Sequence, residues 1–403
     1  MEQQIPKIKH RFSNDKMVEL FCNYAREAKE ARQTRYSSRG VILFRLDMIG
    51  DCTMFSSTLR SIREFYGDRE FTVLCTARSA PVFQRLGVCE VYPIDLNLLS
   101  PDMEKLETIL SDLRQKEYDI LLQPQVSKCP ISDLLAAAIK CNRRIQIEPY
   151  DGREARGANC LRDWVYLTNP LYDEIIPFPR QQVSEFDIQG AFARGIGIHD
   201  FKTRRPNLPV KKQNWVQGEY YVLCPGGSFY QKYWSPKRFA ALADYVYEKT
   251  HLTGVILATA KERWVAEKIK QFMKPETAET LVDLTGQTKV EDMIDVIGNA
   301  RLCIANDSGG AHVACATNVP CVATVGAWFL GRFLPYHIEE ILPGDHIPLV
   351  AYVDLPCKRC GLDYNYMFEH NPKCLRRFFT SRTADCIDSI PLERMKEYVD
   401  QVL

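Results

Sequence analysis

The sequence predicts an α/β fold with two doubly wound parallel-sheet domains and a cysteine-rich C-terminal tail. Short apolar, strand-like segments alternate with helical ones along most of the chain, as in parallel sheets. A polar stretch with two prolines, KTRRPNLPVKK at 202–212, interrupts this alternation. The 403 residues also exceed one ordinary core. We therefore expect an N-terminal helical arm at 1–38, domains at 39–205 and 213–345, and a tail at 346–403.

The arm is basic. Arg26, Lys29, Arg32, Arg35 and Arg39 recur at intervals of three or four residues in a charged helical segment at 15–39. Such a face is either solvated or makes a contact with an anionic membrane or acceptor.

The first domain begins with a short buried strand, VILFR at 41–45, followed by a Gly-Asp loop and a helix over about 52–66. Asp47 and Asp51 lie in this loop. A carboxylate there can take a proton from an acceptor hydroxyl. Equally, Asp51 before Cys52 and Thr53 is a natural helix N-cap. Further strands are expected at 71–75, 90–94, 118–122 and 144–147, with a helix at 80–86.

The second domain repeats the pattern, and ligands of open α/β sheets bind beyond the carboxyl ends of the strands. Its strands are expected at 220–224, 254–258, 302–304 and 320–325, and its helices at 237–248, 263–272, 290–299 and 311–317. After the first strand, Lys232 either offers a charge to a phosphate or is an exposed lysine in a turn. After the second, Glu262 either accepts hydrogen bonds from a ribose diol or favours a helix dipole.

The loop NDSGGAH at 306–312 follows the third strand and opens a helix. Asp307 or Ser308 can cap that helix, but a cap does not require the pair Gly309-Gly310. Two glycines at a helix N-terminus are typical of an anion-binding site. His312, one turn further, faces either a phosphate or the core. The dinucleotide fingerprint G-x-G-x-x-G and the Walker-type phosphate loop are both absent from the sequence.

The tail contains four cysteines within 30 residues, which is a higher density than 15 cysteines in 403 residues would give by chance. We expect a structural zinc or iron site there, with unligated thiols and a disulfide as alternatives. The four are Cys357, Cys360, Cys374 and Cys386.

Bulk properties narrow the class of protein. The net charge of +1 gives no case for a nucleic-acid partner. No stretch reaches 18 uninterrupted apolar residues, and the first residues, MEQQIPK, lack the apolar core of a signal peptide. With many cysteines and no export signal, we expect a cytoplasmic protein.

Four stretches together resemble glycosyltransferase family 9, the heptosyltransferase family. They begin with VILFRLDMIGDCTMF at 41, YVLCPGGSFYQKYW at 221, ILATAKERW at 256 and LTGQTKVEDMIDVIGNARLCIANDSGGAH at 284. The resemblance implies a GT-B fold, in which two Rossmann-like domains face a central cleft. It also implies an inverting transfer of heptose from ADP-heptose without a catalytic metal.

The resemblance assigns a role to each candidate residue. Asp51 matches the general base, with Asp47 as a second carboxylate close by, and Lys232 matches the residue that faces the donor phosphates. Glu262 matches the acid that holds the ribose. The loop around the diphosphate is matched by Asp307, Ser308, Gly309, Gly310 and His312.

The tail resembles the cysteine finger of autotransporter heptosyltransferases, which binds iron. The acceptor stays open between a glycan, a lipid-linked sugar such as lipopolysaccharide, and a protein; the oligomeric state stays open too. Two other functions remain as alternatives: a nucleotide-sugar epimerase on the same scaffold, and a non-catalytic nucleotide-sugar-binding protein.

Overall fold

Two six-stranded parallel sheets form the two halves of the protein. The computed structural model describes residues 15–31, 35–98, 101–127, 129–150, 159–179, 183–327, 330–355 and 383–403. Each sheet is flanked by helices, and its central strand is buried along its whole length. This explains the unbroken apolar runs of those strands, because both faces of the sheet are covered.

The first sheet has the strand order β3-β2-β1-β4-β5-β6, and every neighbouring pair is parallel. Its strands are β1 Val41–Arg45, β2 Phe71–Thr76, β3 Glu90–Ile94, β4 Glu117–Gln123, β5 Lys140–Ile147 and β6 Glu174–Ile176. Its helices are α1 Asp15–Ala31, α2 Ile49–Met54, α3 Ser56–Phe65, α4 Ala80–Leu86, α5 Met103–Leu113, α6 Pro130–Ala138, α7 Asn159–Thr168 and α8 Glu185–Gly195.

The second sheet has the order β12-β11-β10-β7-β8-β9 and is also parallel throughout. Its strands are β7 Tyr220–Cys224, β8 Thr253–Ile256, β9 Val282–Asp283, β10 Leu302–Asn306, β11 Cys321–Thr324 and β12 Leu349–Ala351. The helices are α9 Pro236–Thr250, α10 Arg263–Phe272, α11 Pro275–Thr280, α12 Val290–Gly298, α13 Gly309–Ala316, α14 Asp385–Asp388 and α15 Leu392–Val402.

Both ends of the chain pack more tightly than the sequence suggests. Helix α1 buries Met17, Val18 and Phe21 in the first domain, and the Phe21 ring lies 5.4 Å from that of Trp164. Strand β12 extends the second sheet, and α15 packs against α9. The described parts of the arm and of the tail therefore belong to the two domain cores, because their apolar faces need cover.

The helix predicted at 52–66 begins earlier and is interrupted. Helix α2 starts at Ile49 with Met48 at its N-cap position, and α3 follows after Phe55. Asp51 lies inside the first turn of α2, so the N-cap interpretation of this residue is wrong.

The predicted tail metal site lies mostly outside the described residues. Cys357, Cys360 and Cys374 are not among them, whereas Cys386 is buried in α14. Within the described ranges, no three His, Cys, Asp or Glu side chains are grouped to hold a metal ion. No helix in the same ranges is long and apolar enough to cross a bilayer.

Candidate active site

Helices α2 and α13 meet where the two domains face each other. A Cβ atom on Gly50 would lie only 2.7 Å from Cδ2 of His312, and one on Gly309 would lie 3.9 Å from the Gly50 amide nitrogen. This close approach requires Gly50 to lack a side chain. It places the Asp51 segment of the first domain beside the Asp-Ser-Gly-Gly loop of the second, as the sequence predicts for a shared cleft.

A buried ion-pair network surrounds this contact. Arg45, at the carboxyl end of β1, pairs through Nε with Asp47 and through Nη2 with Glu185, both at 2.8 Å. The other oxygen of Glu185 pairs with Nη2 of Arg332 at 2.8 Å. Because Arg332 belongs to the segment after β11, this pair links the second domain to the first. Asp47 also accepts a hydrogen bond from Gln125 at 2.6 Å.

The Asp51 carboxyl has a pKa close to neutral pH. Burial raises its pKa to about 7, and the charges of Asp47 and Glu185 act in the same direction against Arg45 and Arg332. Within the described residues its carboxyl oxygens have no hydrogen-bond or ion-pair partner. A carboxyl that titrates near pH 7 and has no partner among the described residues suits proton transfer at neutral pH.

Lys232 is buried and paired in the second domain. Its Nζ lies 2.9 Å from Oδ2 and 3.1 Å from the backbone oxygen of Asp307. Both side chains are less than a tenth exposed. Asn306 connects the loop after β10 to the loop after β7. Its Oδ1 accepts a hydrogen bond from the Trp234 amide at 3.1 Å, and its Nδ2 donates one to the carbonyl of Pro225. The interpretation of Lys232 as an exposed turn lysine is therefore wrong.

Glu262 is also buried, with four donors on its carboxylate. Oε1 accepts from the Gly227 amide at 2.9 Å and from the Tyr233 hydroxyl at 3.0 Å. Oε2 accepts from the amide and the hydroxyl of Thr259, both at 2.8 Å. The carboxylate thus caps the turn before α10 and binds the Gly-Gly loop after β7. Two of its four donors are hydroxyls, which can rotate away.

Gly310 has a packing reason that the sequence did not reveal. A Cβ atom on Gly310 would lie 2.6 Å from Sγ of Cys224 on β7, so only glycine fits. Ser308 occupies the N-cap position of α13, but neither it nor Asp307 makes a side-chain cap hydrogen bond. Among the described residues, the Gly309 and Gly310 amides have no acceptor, as expected in the first turn of a helix. They remain available for an anion.

His312 packs between the domains. Its Nδ1 lies 2.7 Å from the Tyr336 hydroxyl, and the two rings are parallel with centroids 5.8 Å apart. Burial lowers the pKa of His312 to about 4, so the imidazole is neutral at pH 7. Its role in the diphosphate loop stays a prediction, but it brings no positive charge there.

The sequence did not single out Arg45, Glu185, Arg332 or Tyr336. A charged residue that ends an otherwise apolar strand was the one available signal for Arg45. Glu185 and Arg332 stand in no motif, and only the fold brings them to the cleft.

Comparisons with known proteins identify the family of this chain. The family model described as glycosyltransferase family 9 (heptosyltransferase) matches residues 153–342. Lipopolysaccharide heptosyltransferase 2 of Escherichia coli K12 is 30% identical over 302 residues, which cover 69% of this chain and 80% of that protein.

One further match covers only a part of the sequence, and another is a match between structures. Lipooligosaccharide heptosyltransferase 2 of Haemophilus influenzae is 33% identical over 119 residues, or 29% of this chain; the alignment spans only 34% of that relative's length. The solved ADP-heptose LPS heptosyltransferase II of E. coli superposes with a TM-score of 0.65 at 18% identity, covering 90% of this chain and 98% of that one. That likeness shows the GT-B fold. The chain belongs to glycosyltransferase family 9, the heptosyltransferases.

Proposed function

We propose that this protein is an inverting, metal-independent glycosyltransferase that moves heptose from ADP-heptose to a sugar hydroxyl of a lipopolysaccharide core. The observation that carries the proposal is the contact between α2, whose first turn contains Asp51, and α13, whose Gly309 and Gly310 amides have no acceptor among the described residues. A base from one domain thereby faces an anion-binding helix end from the other. The choice of donor and acceptor follows the names of the relatives, E. coli lipopolysaccharide heptosyltransferase 2 and ADP-heptose LPS heptosyltransferase II.

The second domain would hold the donor. The Gly309 and Gly310 amides and the Lys232 ammonium are the groups that would face the diphosphate. Lys232 is paired with Asp307 without a ligand. It would keep Asp307 as a partner while its ammonium charge faces the phosphate oxygens. A ribose diol would displace the Thr259 and Tyr233 hydroxyls from Glu262, and the carboxylate would exchange two neutral donors for two others.

The first domain would supply the base. The ionised Asp51 carboxylate takes the proton of the acceptor hydroxyl while the oxygen of that hydroxyl attacks C1 of the donor sugar. The bond from C1 to the phosphate oxygen breaks, and its electron pair leaves with ADP, whose charge is held by Lys232 and the helix amides. Attack opposite the leaving group inverts C1. Asp47 is the weaker candidate for the base, because Arg45 and Gln125 already occupy its carboxylate.

A turnover experiment tests the proposal. ADP-heptose is incubated with and without heptose-deficient lipopolysaccharide core, and ADP release and heptose transfer are measured for the wild type, Asp51→Asn and the exposed control Asp68→Asn. We expect ADP release only with acceptor, and a loss of about 10²-fold or more in Asp51→Asn alone. Conversion of the donor sugar without acceptor would instead identify an epimerase. Donor binding without any turnover would identify a non-catalytic binder.

We also propose a cytoplasmic location and a structural iron or zinc on the four tail cysteines, on the sequence grounds given above. Elemental analysis of the purified protein tests the metal. About one iron or zinc per chain, lost in Cys357→Ser and Cys360→Ser, is the expected result. A metal-free wild type would contradict it.

A further inference from the structure

A basic cleft lies at the end of the first sheet that faces away from the candidate active site. Two adjoining cavities of about 470 Å³ each share Arg35, Arg69 and Asp119 in their linings. Arg39 completes one cavity and Arg143 the other. We call these four arginines with Asp119 the basic cleft.

The basic cleft is separate from the candidate active site. Arg39 precedes β1, Arg69 precedes β2 and Arg143 lies in the first half of β5. These are the amino ends of parallel strands, whereas Asp51 follows the carboxyl end of β1. The five residues of β1 alone separate the two ends by about 15 Å.

The charges of the basic cleft are only partly neutralised. Arg69 pairs with Asp119, and Arg143 pairs with Glu174 on the rim. Within the described residues, the guanidinium groups of Arg35 and Arg39 have no acceptor. Burial alone would raise the pKa of Asp119, but hydrogen bonds from Asn142 and Arg69 and the charges of Arg69 and Arg35 hold it below its usual value.

The segment that carries the two unpartnered arginines is fixed by side chains. The amide of Asn142 accepts from the Tyr36 N–H at 2.8 Å and donates to the Tyr36 carbonyl at 3.1 Å, like a neighbouring strand. Nε of Arg69 donates to the carbonyl of Arg39 at 2.6 Å. Residues 35–40 thus have a defined path without regular secondary structure. A fixed path lowers the entropy lost when arginines close on a ligand.

We propose that the basic cleft binds a phosphate group, through paired N–H donors of Arg35 and Arg39 with Arg69 and Arg143 around them. Planar guanidinium groups suit phosphate because they donate two parallel hydrogen bonds. The phosphate comes either from a lipid headgroup at an anionic surface or from a soluble phosphate compound. This site does not depend on the proposed transferase activity.

Two probes distinguish these sources. Calorimetry measures inorganic pyrophosphate binding in excess ADP, which occupies the donor site. Co-sedimentation at low salt measures binding to phosphatidylcholine vesicles with and without phosphatidylglycerol. The test variant is Arg35→Gln with Arg39→Gln. The matched control is Arg301→Gln with Arg394→Gln, which removes the same charge from exposed positions on the second domain.

We expect at least one probe to bind the wild type and the control with equal affinity. The same probe should bind the test variant about tenfold more weakly, or not at all. Binding of anionic vesicles without pyrophosphate binding identifies a lipid headgroup, and the reverse result identifies a soluble phosphate. The proposal is overturned if neither probe binds, if the test variant binds as the wild type does, or if the control loses as much as the test variant. An unchanged melting temperature of both variants excludes unfolding as the cause.

Discussion

Asp51→Asn should stabilise the protein above pH 4 while it abolishes turnover. The ordinary pKa of this carboxyl, 3.8, rises to about 7 in the folded state because the group is largely desolvated and lies near the carboxylates of Asp47 and Glu185. A rise of about three pH units, at about 1.36 kcal/mol per unit, corresponds to at most about 4 kcal/mol. The folded state is destabilised by this amount relative to the unfolded state at a pH where both states carry the ionised Asp51, and asparagine carries no such charge.

The sign of the pH dependence follows from the raised pKa. Below about pH 4 the carboxyl is protonated in both the folded and the unfolded states, and the two proteins should be equally stable. Between about pH 4 and pH 7 only the unfolded state ionises, so the wild type loses stability relative to Asp51→Asn. Above pH 7 both states are ionised, and the advantage of the variant stays constant.

Urea unfolding of both proteins at pH 5, 6, 7 and 8 measures this difference. The variant should gain about 2 kcal/mol at pH 5 and up to about 4 kcal/mol at pH 8. Asp68→Asn, which removes an exposed carboxylate, reports the effect of one lost charge elsewhere. Equal stability of Asp51→Asn and wild type at every pH would show that the pKa of Asp51 is not raised in the folded state. It would thereby remove the reason for expecting Asp51 to act as a base near pH 7.

Further predictions concern the same network and loop. The value of kcat/KM should rise with pH through a midpoint near 7, since Asp51 acts in its ionised form. Glu185→Gln should lower that midpoint by about one pH unit, because the Glu185 charge raises the pKa of Asp51. A pH–rate profile of kcat/KM measures both effects, and an unchanged midpoint in Glu185→Gln would contradict the coupling. Gly310→Ala should lower the free energy of unfolding in urea by about 1–3 kcal/mol, because its Cβ would lie 2.6 Å from Sγ of Cys224. The matched control is Gly309→Ala, whose Cβ has ordinary contacts only. Equal losses of stability in the two variants would show that packing does not explain Gly310.

The sequence was sufficient for nine of the twelve described strands, because buried parallel strands are short apolar runs with helices between them. The predicted strand at 41–45 and the predicted helices at 80–86 and 263–272 have the observed bounds. Strands β6, β9 and β12 escaped prediction, because two or three residues are too few for a pattern. The place of β12 in the sheet is set by its pairing with β11.

The site was predictable as a set of loops but not as a network. Lys232 and Glu262 follow strands, so their edge of the sheet could be inferred from order alone. Their burial and partners could not, because Asp307 and Tyr233 reach them only through the fold. The glycine rule for anion sites also proved ambiguous, since Gly310 is required by its contact with Cys224 whether or not a phosphate binds.

In the proposed mechanism the second domain binds the donor and the first supplies the base. Calorimetric titration of ADP-heptose, a UDP-sugar and a GDP-sugar into wild type and Asp51→Asn separates these two roles. We expect ADP-heptose to bind best and to bind both proteins with equal affinity, although only the wild type transfers the sugar. Tighter binding of a UDP-sugar, or loss of ADP-heptose binding in Asp51→Asn, would contradict it.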